Sequence, residues 1–223
     1  MLTDPQALEP SRHRALLLFS GGFDSTLVAL LLKQRGIATV ALSVNYGTRP
    51  APERAAAARA AAQLGFAKEL SVELPFGDFR NEPQLWPDQR HEGWFPYRNV
   101  IFFGIAAHYA VREQCNVIAS GIRVWDEGFD DARPAYLERL EGLLQSSGAE
   151  QSSNRLTLLL PLVASHDLAM QALTAGGAGE KLLRATWSCW RGGATPCGEC
   201  APCIDRNRFF AEAERRRGSQ GRG

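Results

Sequence analysis

The 223-residue chain has three lysines, Lys33, Lys68 and Lys181, two methionines and five cysteines. Its apolar runs, such as residues 15–19 and 27–32, fall far short of the ~18 residues of a membrane span. No apolar stretch flanked by basic residues stands in residues 1–14, so no secretory signal is expected and the chain is assigned to the cytoplasm. The net charge of +1 excludes the broad basic footprint of bulk nucleic-acid binding. Neither Gly-x-x-x-x-Gly-Lys-Ser/Thr nor Gly-x-Gly-x-x-Gly occurs, which argues against γ-phosphoryl transfer and dinucleotide binding of the usual kinds. The 45% hydrophobic and 22% charged content is that of a globular domain, not of a disordered or fibrous chain.

What is present alternates. Residues 14–19, 37–45, 68–74, 116–120 and 156–160 read as short buried strands. Residues 27–34, 52–64, 99–113, 134–145 and 166–173 read as helices, the last capped by Ser165. Strand–helix alternation predicts a doubly wound, Rossmann-like parallel sheet covered by helices, an α/β fold. Residues 1–13 are expected as a flexible leader, 14–186 as the catalytic domain, 187–216 as a C-terminal extension ending in a helix over 204–216, and 217–223 as a disordered tail. Residues 75–97, rich in proline and aromatics, form a long irregular loop of the functional kind. Residues 146–154 read as a polar linker.

Two local patterns carry chemistry. Between the first strand and helix stands Ser20-Gly21-Gly22-Phe23-Asp24-Ser25. Two glycines let backbone N–H groups converge, the serines add hydroxyls, and the following helix offers its positive end, together making a nest for polyphosphate. Asp24 is placed either to hold Mg²⁺ or to brace the loop. The second pattern is Cys189-x7-Cys197-x2-Cys200-x2-Cys203. Two-residue gaps converge sulfurs as tetrahedral Zn²⁺ needs, at about 2.3 Å per bond, and four thiolates close the site to water, so a structural zinc is expected. An iron–sulfur cluster is the rival. The remaining Cys115 reads as a buried apolar side chain.

The glycine loop carries the signature of the PP-loop ATP pyrophosphatases, which cleave ATP to AMP and pyrophosphate. Loop and four cysteines together resemble the 7-cyano-7-deazaguanine synthase family. Asn45-Tyr46-Gly47-Thr48-Arg49 is similar to its Asp-Tyr-Gly-Gln-Arg, and Pro96-Tyr97-Arg98-Asn99 to its Pro-Gly-Arg-Asn. Gly128-Phe129-Asp130-Asp131-Ala132-Arg133 is similar to its Gly-Tyr-Pro-Asp-Cys-Arg substrate loop. The resemblance spans residues 15–210. It implies an adenine nucleotide alpha hydrolase-type fold and a carbon–nitrogen ligase. The carboxylate of 7-carboxy-7-deazaguanine is adenylated and passed to an amine, ammonia giving the amide and then the nitrile of queuosine biosynthesis.

The site residues follow from these strings. Ser20, Gly21, Gly22, Phe23, Asp24, Ser25, Val44, Asn45, Arg49 and Asn99 are assigned to ATP and Mg²⁺. Trp94, Phe95, Arg98, Gly128, Phe129, Asp131 and Arg133 are assigned to the deazaguanine, with Asp131 accepting from its N–H edge. Trp94 and Phe95 read equally as core, and each arginine as a surface residue. Asp24, Ser25, Arg98 and His166 are the catalytic candidates. Where the family has a lysine at the helix start, this sequence has Ser165-His166, so His166 is either its substitute or a solvent-facing histidine. Pro50 replaces the family histidine, and the substrate loop lacks the family cysteine. These departures leave the acceptor open. Ammonia is expected from solution, since 223 residues leave no room for a glutaminase, or a protein amine replaces it, as in paralogues from antiviral defence clusters. A PP-loop tRNA-modifying enzyme and a degenerate nucleotide-binding subunit are the other readings. The resemblance also implies a homodimer.

Overall fold

The computed structural model describes residues 1–46, 50–75, 97–123, 130–148, 155–163, 165–189 and 191–220. Five parallel strands, β1 (Arg14–Leu18), β2 (Ala38–Asn45), β3 (Lys68–Glu73), β4 (Val117–Ala119) and β5 (Thr157–Leu159), lie in the order β3-β2-β1-β4-β5. The helices are α1 (Phe23–Gln34), α2 (Ala51–Leu64), α3 (Arg98–Arg112), α4 (Pro134–Gly148), α5 (His166–Thr174), α6 (Gly177–Arg184) and α7 (Ala201–Gln220). This is the Rossmann-like doubly wound arrangement expected from the alternation.

The two-residue period of β1 sorts the core. Ala15 and Leu17 pack in one apolar cluster with Leu27, Val28 and Leu32 of α1, Ala169 and Leu173 of α5, and Ala213 of α7. Leu16 belongs to the opposite cluster, with Phe103 and Ala106 of α3 and Leu137 and Leu140 of α4. Because β1 is central and covered on both faces, it is apolar from Ala15 to Leu18 rather than alternating. The chain leaves β1 toward β2 on one side and reaches β4 on the other, so the strand order reverses beside β1. A crevice opens at the carboxyl ends of strands at such a reversal.

Three expectations change. Residues 1–13, read as a flexible leader, pack against the sheet. The Leu2 N–H donates to Leu158 O at 2.7 Å, the Leu160 N–H donates to Leu2 O at 2.9 Å, and Leu8 is fully buried. Two leucines among polar neighbours are enough to anchor the segment. Helix α6 was not anticipated, because the glycines of 176–179 mask it. Leu182 and Leu183 bury its apolar stripe, and Gly179 lies 3.8 Å, measured from an ideal Cβ, from Leu30 of α1. Helix α7 begins at Ala201, directly after Cys200, and runs past the expected end at Arg216 to Gln220. Among the described residues no helix is long and apolar enough to cross a membrane.

Candidate functional site

The segment after β1 is fixed by sterics. Gly21 has φ +75°, and a Cβ there would stand 2.3 Å from Cα and Cβ of Ala57 on α2, so only glycine fits. Its N–H donates to Ser25 Oγ at 3.1 Å, and the Ser25 hydroxyl donates to Gly22 O at 3.3 Å. Ser20 Oγ lies 3.2 Å from Ser25 Oγ and accepts from the Gly22 N–H at 3.3 Å. Gly22 caps α1 without a side-chain bond, which leaves the helix's first-turn N–H groups and Asp24 at the open end.

That end faces a cavity of about 420 Å³ at the strand reversal. Ser20, Gly22, Phe23, Asp24 and Ser25 line it from the loop, and Leu18, Leu42 and Val44 from the strands. Arg98, Asn99 and Phe102 line it from α3, Ser120, Gly121 and Arg123 from the exit of β4, and Asp205, Arg206 and Phe209 from α7. Gly121 is as constrained as Gly21: a Cβ there would stand 2.7 Å from Asp24 C and 2.8 Å from Ser25 N. The exit of β4 therefore presses directly on the loop–helix junction.

Asn99 Nδ2 donates to the Asp131 backbone O at 3.0 Å, and the Asn99 N–H donates to Asp131 Oδ2 at 3.4 Å. The other oxygen, Asp131 Oδ1, is buried and lacks a hydrogen-bond partner. Burying such an acceptor unsatisfied costs about 1–3 kcal/mol. Tyr136 stands nearby, its hydroxyl pKa raised by burial and by the Asp131 charge.

The four cysteines converge. Their sulfurs all lie within 4.8 Å of one another, and Cys189, Cys200 and Cys203 are buried. A tetrahedral ion with 2.3 Å bonds sets sulfurs roughly 3.8 Å apart, so the set fits one ion. Backbone N–H groups already point at the sulfurs: Cys197 N–H at 3.4 Å from Cys189 Sγ and Cys200 N–H at 3.4 Å from Cys197 Sγ. Backbone N–H groups of Glu199 and Cys200 hold the Cys197 thiol down to about 6, whereas burial pushes Cys203 up to about 12. The cysteine cluster also borders the cavity: the Trp187 indole N–H donates to Cys189 O at 2.8 Å, and Trp187 lines the cavity. Cys203 stands in α7 two residues before Asp205, so a metal here would also set where α7 presents Asp205, Arg206 and Phe209.

The structure therefore gathers Ser20, Gly22, Phe23, Asp24, Ser25, Val44, Arg98 and Asn99 on one cavity, with Asp131 held against Asn99. It does not bring the rest there. Asn45 Nδ2 donates to Glu73 Oε1 at 2.7 Å and to Ser71 Oγ at 3.0 Å, on the far side of β2. Arg133 pairs with Asp130 at 3.0 Å on the surface. His166 stacks on Phe209 at 5.1 Å, with Nε2 3.3 Å from Glu212 Oε2, one layer behind the cavity wall. Arg49, Trp94, Phe95, Gly128 and Phe129 lie outside the described residues. Sequence reasoning missed Arg123, Asp205 and Arg206. In an arginine-rich chain, only the exit of β4 toward the switch point could have singled out Arg123.

Comparison with known proteins identifies the family and the fold. The model of the family described as "Queuosine biosynthesis protein QueC" matches residues 14–214. The chain is 32% identical over 221 residues to a 7-cyano-7-deazaguanine synthase of Synechococcus sp. (strain CC9902), covering 92% of this chain and 96% of that protein. It is 31% identical over 215 residues to one of Microcystis aeruginosa, covering 90% and 92%. Among solved structures, the U34-tRNA thiolase NcsA from Methanococcus maripaludis, determined with its [4Fe-4S] cluster, shares the fold. Its TM-score is 0.51 at 16% identity, covering 96% of this chain and 74% of that one.

Proposed function

Because the chain belongs to the queuosine biosynthesis protein QueC family, we propose that it is an ATP-dependent carbon–nitrogen ligase acting on 7-carboxy-7-deazaguanine. A carboxylate oxygen of the base attacks the α-phosphorus of ATP, and pyrophosphate leaves. Ammonia then attacks the acyl carbon, and AMP departs with the former carboxylate oxygen. The amide oxygen then attacks the α-phosphorus of a second ATP, pyrophosphate leaves, and loss of AMP with that oxygen and of two protons from the nitrogen leaves the nitrile. A carboxylate is a poor electrophile, so the protein's task is to hold two anions together and to offset the charge that develops.

The observation that carries the reading is the cavity on which the 20–25 loop meets Arg98 and Asn99. Ser20, Gly22, Ser25 and the open end of α1 take the phosphates. Leu18, Leu42 and Val44 form the apolar wall for adenine, and Asp24 is the carboxylate that holds Mg²⁺, which neutralises phosphate oxygens. Asp131 Oδ1 accepts from an N–H of the deazaguanine, and Arg98 faces the reacting anions. The cysteines hold a structural zinc. The close approach of their sulfurs favours a single ion over a cuboidal cluster, whose separate irons spread their ligands further apart.

The test is incubation with ATP, Mg²⁺ and 7-carboxy-7-deazaguanine, with and without ammonium, following AMP and nucleobase by mass spectrometry. Ammonium-dependent amide and nitrile are expected. AMP without either would replace ammonia by another amine, and no AMP would overturn the ligase reading. The homodimer implied by the resemblance is part of the same proposal, and light scattering tests it.

A further inference from the structure

Among the described residues, three arginines line the cavity: Arg98, Arg123 and Arg206. Arg206 is committed to the fold. Its Nη1 donates to Thr186 Oγ1 at 2.6 Å, its Nη2 donates to Arg184 O at 2.5 Å, and its guanidinium lies 4.6 Å over the Phe210 ring. Arg123 is placed differently. Its Nε lies 3.3 Å from Asp24 Oδ2 and its Nη2 3.8 Å from Asp205 Oδ2, and its Cζ sits 5.6 Å from the Phe209 ring centre. The side chain is 16% exposed. Gly121, two residues earlier, abuts the first turn of α1, so the backbone delivers this guanidinium to the open N-terminus of that helix.

A triphosphate seated on the 20–25 loop and the open end of α1 therefore lies beside Arg123, which is paired with Asp24 of that first turn, while His166 stands behind Phe209 against Glu212. We propose that Arg123 is the phosphate-binding cation of this cavity, taking the place in charge that His166 was expected to fill. This inference rests on the nucleotide reading of the site and deepens it. The two carboxylates, on α1 and α7, keep the guanidinium stretched across the cavity. Arrival of phosphate gives it a ligand that accepts two parallel N–H bonds, and this releases Asp24. Arg123 is thus a substrate-contacting residue whose empty-site partners are themselves site residues.

The experiment is calorimetric titration of full-length protein with pyrophosphate and with ATP, at fixed salt and with melting temperatures recorded alongside. The variants are Arg123→Met, Arg123→Lys and His166→Asn. Wild type should bind pyrophosphate, and Arg123→Met should weaken binding about tenfold or more, the loss expected for a charge-assisted contact. Arg123→Lys keeps a cation between Asp24 and Asp205, and so preserves the fold even if the methionine variant does not. It should still lose several-fold, because a point charge replaces a fork. His166→Asn should stay within about twofold of wild type, since the ring lies behind Phe209 and does not itself line the cavity. A folded Arg123→Lys or Arg123→Met protein with wild-type affinity, or a loss confined to His166→Asn, overturns the inference. Failure of wild type to bind either ligand overturns the nucleotide reading itself.

Discussion

Gly121 and Asp24 stand so close that a methyl group on the glycine would meet the aspartate's carbonyl carbon at 2.7 Å. The atoms it would strike are two of the backbone and the Asp24 Cβ fixed to it, none of which can swing aside. Gly121→Ala should therefore push β4's exit away from α1, costing about 1–3 kcal/mol of stability and weakening ATP binding with it. Gly104, exposed in the middle of α3 with open space around its Cβ position, is the counterpart. Gly104→Ala should stabilise by about 0.5–1 kcal/mol. Thermal melts of both variants, with ATP titrations of each, check the pair.

Asp24→Asn keeps the shape of the first turn and removes its charge. AMP formation should fall by about two orders of magnitude, as when a preorganised electrostatic contact is lost. The circular dichroism spectrum should not change. Retained turnover would remove Asp24 from the site's chemistry.

Asp131→Asn replaces an acceptor by a donor at the position whose Oδ1 is buried without a partner. The deazaguanine KM should rise about tenfold to a hundredfold, the worth of one buried hydrogen bond, while the ATP KM stays unchanged. Steady-state kinetics with each substrate varied separately would show a parallel rise in both if Asp131 served only to hold Asn99.

Cys200→Ala, or chelation of the wild type, should remove the metal and lower the melting temperature, because binding energy at such a site is folding energy. ATP affinity should fall in the same step, since α7 supplies Asp205, Arg206 and Phe209 to the cavity. Elemental analysis and ATP titration on the same samples test the link. An apo protein that binds ATP normally would separate the two sites.

Glu180 ties α6 to α7. It accepts from Arg184 Nε at 2.7 Å and pairs with Arg217, and these two hydrogen bonds hold its pKa below the ordinary carboxylate range. The depressed folded-state pKa means the contribution to stability is present above the unfolded pKa of about 4.3. It is lost as pH falls through the lower, folded value. Glu180→Gln should therefore be less stable than wild type at pH 7, and the gap should close on acidification below pH 4. Denaturant melts across pH 3–7 measure it.

The loop and the cysteines were legible because their function is local: six consecutive residues make the nest, and short gaps bring the sulfurs together. The strands were legible because a covered parallel sheet leaves nearly unbroken apolar runs such as 14–19. Arg123 was not, since its meaning lies in a partner on α1 and another on α7, far away in the chain. His166 misled for the complementary reason. Its place in the sequence is that of a site residue, but Glu212 and Phe209 of α7 claim its ring. Helix α6 escaped notice because glycine content outweighs two leucines until the surface they pack on is known.

The pairing of Leu2 with the strand at 157–159 sets an order on how the molecule can come together. Residue 2 leaves the ribosome well before its hydrogen-bonding partners Leu158 and Leu160, which follow only after β1 to β4 have been made. Until then the amide and carbonyl of Leu2 have no sheet to join, and Leu8 has only part of its burial site. Closing this pairing spans most of the chain, a separation that slows folding. The segment that carries Leu2 and Leu8 is thus among the last parts to dock, and the nascent chain holds these leucines without their full burial until β5 has emerged.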